Sequence, residues 1–497
     1  MKLLAAVAAA ALAAGGAAAQ NASGTTTTRV QARADNGNDD PTDDDLLLAE
    51  QRAEASVAAG DVRAAARVDG ELVLGAADGD ERSGLALERL TLEWDVGELA
   101  LTAGDFAAQL GRGLALSVRP APEIGVDHVV RGGRVGWQGE RLDVSALLGV
   151  VNAAGLDPLV LRRIEDSGDL VAGVAAGALP IDGVGVTVLG SLVVPGERVL
   201  DEVVDWTGTG GVALDVQDCT GAARAGLEVD VQQRTLAGVP TTGAAAVGDV
   251  GLRIADADVA IEGLYLASFE VKGSRNTATG LRFSYSQPPT LELLAQEGVS
   301  DRDVVGARTR VELPVLDGLR ARADGVVRVA EPRAPLAMAT AHGALGLELA
   351  RGPHRWASRL GVRTERLGLD KLAELRDLAH LDGDALVDLG RGFALHAVTS
   401  LELWRTPARP YLRGTSSLAL ELRDRLSIAI ESGVDSQDPS PGVRHTFLAA
   451  SALVHLTPKA TLRAIAGSQR GGIACLGGVC RRVPPFAGAK AELQLRF

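Results

Sequence analysis

Apolar and polar residues alternate along most of this chain. Residues 489–497 alternate in this way up to a terminal Phe497, which describes a strand whose two faces meet different surroundings. The same alternation recurs with little interruption from about residue 61. Residues 87–94 pair with 98–102 across Asp95, Val96 and Gly97, and residues 134–137 with 142–148 across 138–141. Residues 313–319 and 349–353 hold further tight reversals. Even repetition with short turns predicts an antiparallel sheet that closes on itself and so avoids free edges.

Connection lengths strengthen this reading. Backward from Phe497 they run long (467–486), short (456–460), long (433–443), short (422–426), long (405–413), short (389–393), long (363–383), short (350–354) and long (330–341). Outer-membrane barrels have short turns on the periplasmic side and longer loops outside. The alternation fails between residues 207 and 306. At about ten residues per strand, roughly 16 to 24 strands are expected. A water-soluble sandwich or β-solenoid is the competing architecture. Leu367, Leu372, Leu375, Leu378 and Leu381 fall mostly three or four apart and predict a helix over a barrel mouth, with a shorter one over 291–296.

The amino end differs. Residues 1–20 carry Lys2, an apolar run from Leu3 to Ala14 and a small-residue cleavage site near Ala19 or Gln20, which reads as a secretory signal peptide. Residues 21–45 are Thr-rich and then acidic, and are expected to be a solvated linker. Their Asp and Asn oxygens invite a calcium reading, but the full loop pattern for that ion is missing. Residues 46–59 predict a short helix with Asp43 to Asp45 at its amino end. The expected organisation is signal peptide 1–20, linker and helix 21–60, and barrel 61–497.

Composition refines the picture. The 497 residues include 60 glycines and are 46% hydrophobic but only 3% aromatic, so Ala and Val must cover most of any lipid face in place of full aromatic girdles. Net charge is −14, and no clustered basic surface points to nucleic acid. Export favours a disulfide between Cys475 and Cys480, since two thiols do not complete a zinc site; Cys219 is left over.

Catalytic signatures are absent from the sequence. His128, His342, His354, His380, His396, His445 and His455 are scattered, and none sits in a metalloprotease or nucleophile-elbow pattern. Asp127 and His128 would need a Ser brought by folding. Gly111, Arg112 and Gly113 fit neither a P-loop nor a dinucleotide turn, and read as a strand reversal, as do Gly390 to Phe393. Arg131 and Arg134 are candidate pore-lining residues, because arginine rings line anion pores. No enzyme, cofactor or metal site is expected.

Two stretches resemble an uncharacterised, unknown-function family of bacterial outer-membrane-type barrel proteins. One runs from Gly104, Asp105 and Phe106 through Gly111, Arg112, Gly113 and Leu114 to Asp127, Arg131 and Arg134. The other holds Arg470, Gly471, Gly472, Cys475, Cys480, Arg481, Pro484, Phe486 and Phe497 and looks like the family's closing hairpin. The resemblance implies an all-β, antiparallel transmembrane barrel in the outer membrane of a Gram-negative-type bacterium, and no established activity. The expected partners are outer-membrane lipid and, through the C-terminal strand, the barrel-assembly machinery, with no nucleic acid and no identified protein partner. The leading functional expectation is a passive, porin-like channel of unknown substrate. The alternative is a non-conducting structural or partner-binding barrel, acting as scaffold, adhesin or secretion accessory.

Overall fold

The computed structural model describes residues 21–497 apart from 38–43, 76–81, 121–126, 158–160, 197–203, 237, 276–281, 295–302, 335–336, 369–373, 424, 439–442 and 477–478. The expected signal peptide lies outside the described residues, as does most of the acidic run.

Alternation builds one closed antiparallel sheet of 24 strands, the upper end of the expected range. Barrel strands pair in chain order, and Asn21–Arg33 closes the ring against Phe486–Arg496, from Thr25 opposite Arg496 to Arg33 opposite Gly488. Closure leaves no unpaired edge, which strands in hydrocarbon require. Three short hairpins stand apart from the ring: Ala108–Leu110 with Leu116–Val118, Lys272–Arg275 with Arg282–Ser284, and Gly472–Leu476 with Val479–Val483. No helix occurs among the described residues.

The two faces of each strand differ as lipid and lumen differ. On Val304–Leu316, Val305, Leu313 and Val315 are exposed on one side. On the other, Arg308 and Arg310 reach Asp324 of the neighbouring strand Leu319–Ala330, at 3.1 and 3.4 Å. Leu85, Leu87, Leu90, Leu92 and Trp94 form a similar exposed row on Arg82–Val96, where a register shift opposite Arg67 and Val68 absorbs Glu88. The few aromatics are well placed: Trp94, Trp137 and Trp356 are exposed beside short turns, and Tyr265 lies near the opposite end. Aliphatic residues cover most of the outer face between them.

Connections on the end holding Asn21 and Phe497 are short, from the two residues between Ala59 and Val62 to the five between Gln217 and Ala223. Those on the far end are mostly longer, but only two residues separate Leu236 from Val239 and four separate Arg405 from Pro410. The tight turn after Leu236, next to the longest near-end turn, is why the alternation of loop lengths is lost between residues 207 and 306.

Two expected elements are corrected. Residues 46–59 form the strand Leu47–Ala59, not a helix, and with Asn21–Arg33 they supply the first two barrel strands. Glu50, Arg52 and Glu54 share one face and Ala49, Ala53 and Ala55 the other, a two-residue period masked by the helix preference of alanine. The helix expected around Leu367 to Leu381 is largely the strand Glu374–Gly390, with Leu375 and Leu381 exposed outward and Leu378 buried inward. Of the shorter helix, residues 291–294 are irregular and 295–296 lie outside the described residues.

Candidate functional site

Two far-end connections fold into the barrel. One joins Phe106 to His128 and the other Ala267 to Val304. Their side chains Leu114, Leu116, Phe269, Val271, Tyr285 and Leu291 share one apolar core with Val130, Val151, Val171, Leu189 and Val193 of the inner wall. The loops also bond to each other. Ser117 N donates to Tyr285 O (2.7 Å), Gln287 N to Gly113 O (2.8 Å), and Ser117 Oγ to Gln287 Oε1 (3.0 Å).

The first loop reverses at Gly111 to Gly113, as the glycines predict; Gly111 and Gly113 have φ of +55° and +91°. Between them Arg112 is spent on the wall. Its backbone N donates to Glu228 Oε2 (2.6 Å), and its guanidinium bonds Asp249 and, at 3.0 Å, Asp215. Burial disfavours the Arg112 charge, but Asp249 and Asp215 outweigh it and raise its pKa. A Cβ on Gly111 would fall 2.2 Å from Glu228 Oε2, so the reversal needs glycine for space as well as for φ.

A buried carboxylate, Asp169, holds the second loop. It accepts from Tyr285 Oη (2.6 Å), Ser274 N (2.8 Å), Gly196 N (2.8 Å) and Ser274 Oγ. Burial, with the adjacent Asp169 charge, pushes the Tyr285 hydroxyl pKa well up, so it stays protonated as a donor.

The first loop returns to the wall through Asp127. Its carboxylate accepts from Arg67 Nη1 (2.5 Å) and Arg89 Nη2 (3.0 Å), while Arg52 stands 3.8 Å away. Burial acts to raise the Asp127 pKa, but Arg67, Arg89 and Arg52 outweigh it and hold it below the usual carboxylate range. Asp127 is therefore committed to arginines, and His128 packs edge-on against the Phe283 and Tyr285 rings.

The sequence-predicted residues separate by face. Asp105 accepts from Leu90 N (2.7 Å), Asn152 Nδ2 (2.7 Å) and Arg131 Nε (3.0 Å). Arg131 shares its strand face with the exposed Val135 and Trp137, so it lies on the outer face near the loop end and does not line the lumen. Arg134, three residues on, has the inward face. Its guanidinium lies 5.4 Å from the centre of the Phe106 ring, and it donates to Thr102 Oγ1 (3.4 Å). Gly104 (φ +99°) permits the approach that seats Asp105, because a Cβ there would be 1.9 Å from Leu90 O.

The C-terminal residues close the ring. Phe497 N donates to Gly24 O (3.0 Å), and Gly24 N to Phe497 O (3.1 Å). Arg470 Nη1 donates to Asp435 (3.1 Å), Gly471 abuts Pro485, and Gly472 opens the last hairpin. In that hairpin the backbones of Cys475 and Cys480 are directly opposed; their side chains lie outside the described residues. Cys219 is exposed in the near-end turn after Gln217.

The sequence reading missed a second inward cluster. Glu292, from the second loop, faces Arg328 at 3.7 Å and His342 at 4.0 Å. Burial favours its neutral form, but His342, Arg363 and Arg328 together hold the Glu292 pKa below the usual range. His342 and His380 meet Nε2 to Nε2 at 2.9 Å, and His380 Nδ1 lies 3.0 Å from Asp382 Oδ2. The one available sequence signal was that His342, His380 and Asp382 fall on inward positions.

Beyond the loops the wall is wet. Asp384, His396 and Glu421 bond at 3.3 and 3.1 Å with side chains 47, 28 and 31% exposed, whereas Asp230 and Glu228 beneath the first loop are 0% exposed. The loops thus fill one side of the lumen and leave inward polar groups on the other side in contact with solvent.

Comparison with known proteins agrees with this architecture. The siderophore receptor PirA from Pseudomonas aeruginosa superposes with a TM-score of 0.51 at 9% identity, over 96% of this chain and 80% of that one. The P pilus usher PapC translocation pore gives 0.45 at 10% identity, over 96% and 99%. OccK5 (OpdH) of Pseudomonas aeruginosa gives 0.40 at 11%, over 73% and 97%. At these identities the likeness is one of fold. No curated protein matches by sequence. Residues 426–497, which end in the closing strand, match a family of unknown function (DUF6029). The chain is an all-β, outer-membrane-type barrel of 24 strands whose C-terminal region matches that uncharacterised family.

Proposed function

We propose that this protein is a porin-like passive channel of the outer membrane, admitting small polar or charged solutes along the uncovered side of its lumen. The observation that carries this reading is the contrast in exposure across the lumen: buried polar groups under the two loops, solvent-touched Asp384, His396 and Glu421 beyond them. Barrels of this strand number enclose a wide interior. Inward-folded loops narrow such a space without closing it. Charged groups of both signs meet solvent on the inward wall, with Asp384 and Glu421 around His396 and Arg134 near the first loop. This mixed lining favours solutes that carry polar groups over any one sign of ion.

A second reading, a loop-occluded barrel that binds a partner, is favoured by the dry core between loops and wall. Planar-bilayer recordings decide between them. Reconstituted full-length protein is expected to give stable conductance steps that scale with salt. Well-folded, inserted barrels with no conductance would sink the channel and leave the occluded form.

A further inference from the structure

Under the reversal of the first loop lies a polar patch that the two loops satisfy only in part, through Arg112 N to Glu228 and Glu270 N to Gln232. Glu228, Asp230 and Gln232 alternate on the inward face of Ala223–Leu236 and are all 0% exposed. From Val204–Gln217, Thr209 lies opposite Gln232 and Gly211 opposite Asp230, while Thr207 lies further along, opposite Arg234. Neither Asp230 oxygen meets a hydrogen-bond donor, and Glu228 Oε1 and both threonine hydroxyls are likewise without a partner. Gly211 makes the seat: a Cβ there would stand 1.5 Å from Asp230 Oδ1.

The charge of this patch is only partly compensated, by Arg112 near Glu228. The Glu228 and Asp230 carboxyl groups adjoin each other. Arg112 gives Glu228 only its backbone N–H and spends its guanidinium on Asp215 and Asp249. Arg234 pairs with Glu270 at 3.2 Å. Two adjoining buried carboxylates are strongly unfavourable unless they share a proton or take up a cation.

We propose that Glu228 and Asp230, with the hydroxyl of Thr209 diagonal to Asp230, bind one hard divalent cation of the calcium type against the inner wall. Carboxylate and hydroxyl oxygens suit calcium or magnesium, not the softer transition metals. Two carboxylates balance a charge of two. Among the described residues no three His, Cys, Asp or Glu side chains converge as a metal site, so water completes the coordination here. So few charged ligands place the affinity at the weak end, with Kd on the order of 10⁻⁴ to 10⁻³ M. Because Glu228 also accepts the Arg112 N–H, the ion fixes the first loop to the wall. This holds whether or not the lumen conducts.

The test uses full-length barrel in detergent, stripped with EDTA, desalted and titrated with calcium chloride, with magnesium chloride in a parallel arm. Calorimetry is expected to show one ion per chain, and Tm to rise with ion concentration. Asp230→Asn is expected to abolish both responses while raising the Tm of the ion-free protein, because the buried repulsion is relieved; that gain separates lost binding from misfolding. Asp218→Asn, an exposed acid in the near-end turn, keeps the wild-type response. The proposal is overturned if neither ion binds the wild type, which leaves a proton shared between the two carboxyls, or if Asp230→Asn binds as tightly as the wild type.

Discussion

Single carboxylates hold this barrel's interior in place, and Asp127 shows how. It is buried between Arg67 and Arg89 at 2.5 and 3.0 Å, where the first loop rejoins the wall. Its folded pKa lies below its unfolded value of about 3.9. The stability it contributes is therefore present above that value and lost as pH falls through the folded pKa. Asp127→Asn removes the carboxylate from Arg89 and from Arg67, which keeps Asp69, at a cost of about 3 kcal/mol near neutral pH. Denaturant titrations of both proteins should show the gap narrowing below about pH 4. A gap independent of pH would show that Asp127 acts through shape alone. Gly104 and Asp105 stand out in the sequence as part of a glycine-flanked stretch. Their work was not legible there, because it depends on Leu90 and Asn152, which only the fold brings near.

At the scale of elements, legibility followed chemistry more than length. Strands such as Arg82–Val96 announce themselves because their two faces use different residue types. The run of four threonines in Asn21–Arg33 places Thr25 and Thr27 on one face and Thr26 and Thr28 on the other, so the period vanishes from the sequence. Leu47–Ala59 hides behind alanine. The inward turn of the two loops could not be read at all, since it rests on contacts such as Arg112 with Asp249, 137 residues apart. The hairpin Gly472–Leu476 with Val479–Val483 yields a test. Opposed positions on paired strands bring Cα atoms to about 4.5–5.5 Å, within disulfide range. Non-reducing alkylation and mass spectrometry of the exported protein should therefore leave Cys475 and Cys480 unmodified and label the exposed Cys219. Modification of all three would refute the disulfide.

For the whole molecule, the question is which side of the wall meets lipid, and a charge placed on one face answers it. Leu345 lies in the middle of Met338–Arg351 and is 70% exposed on the face that also carries Leu347 and Leu349. Its cross-strand neighbours are Ala323 and Leu360, with no charge among them. The inward face of the same strands holds Asp324, His342 and Arg359, so a charge is ordinary on one side of this wall and foreign on the other. In a bilayer, an arginine on the lipid face costs about 2–4 kcal/mol at the midplane and about 0–1 near the interfaces. In water, an exposed leucine exchanged for arginine costs within about 0.5 kcal/mol. Leu345→Arg is therefore expected to destabilise folding into phospholipid vesicles by the larger amount, with Leu345→Ala as the control for lost side-chain volume. If Leu345→Arg folds into vesicles as stably as the alanine control, the exposed apolar face is not a lipid face, and the closed sheet would have to be placed in another setting.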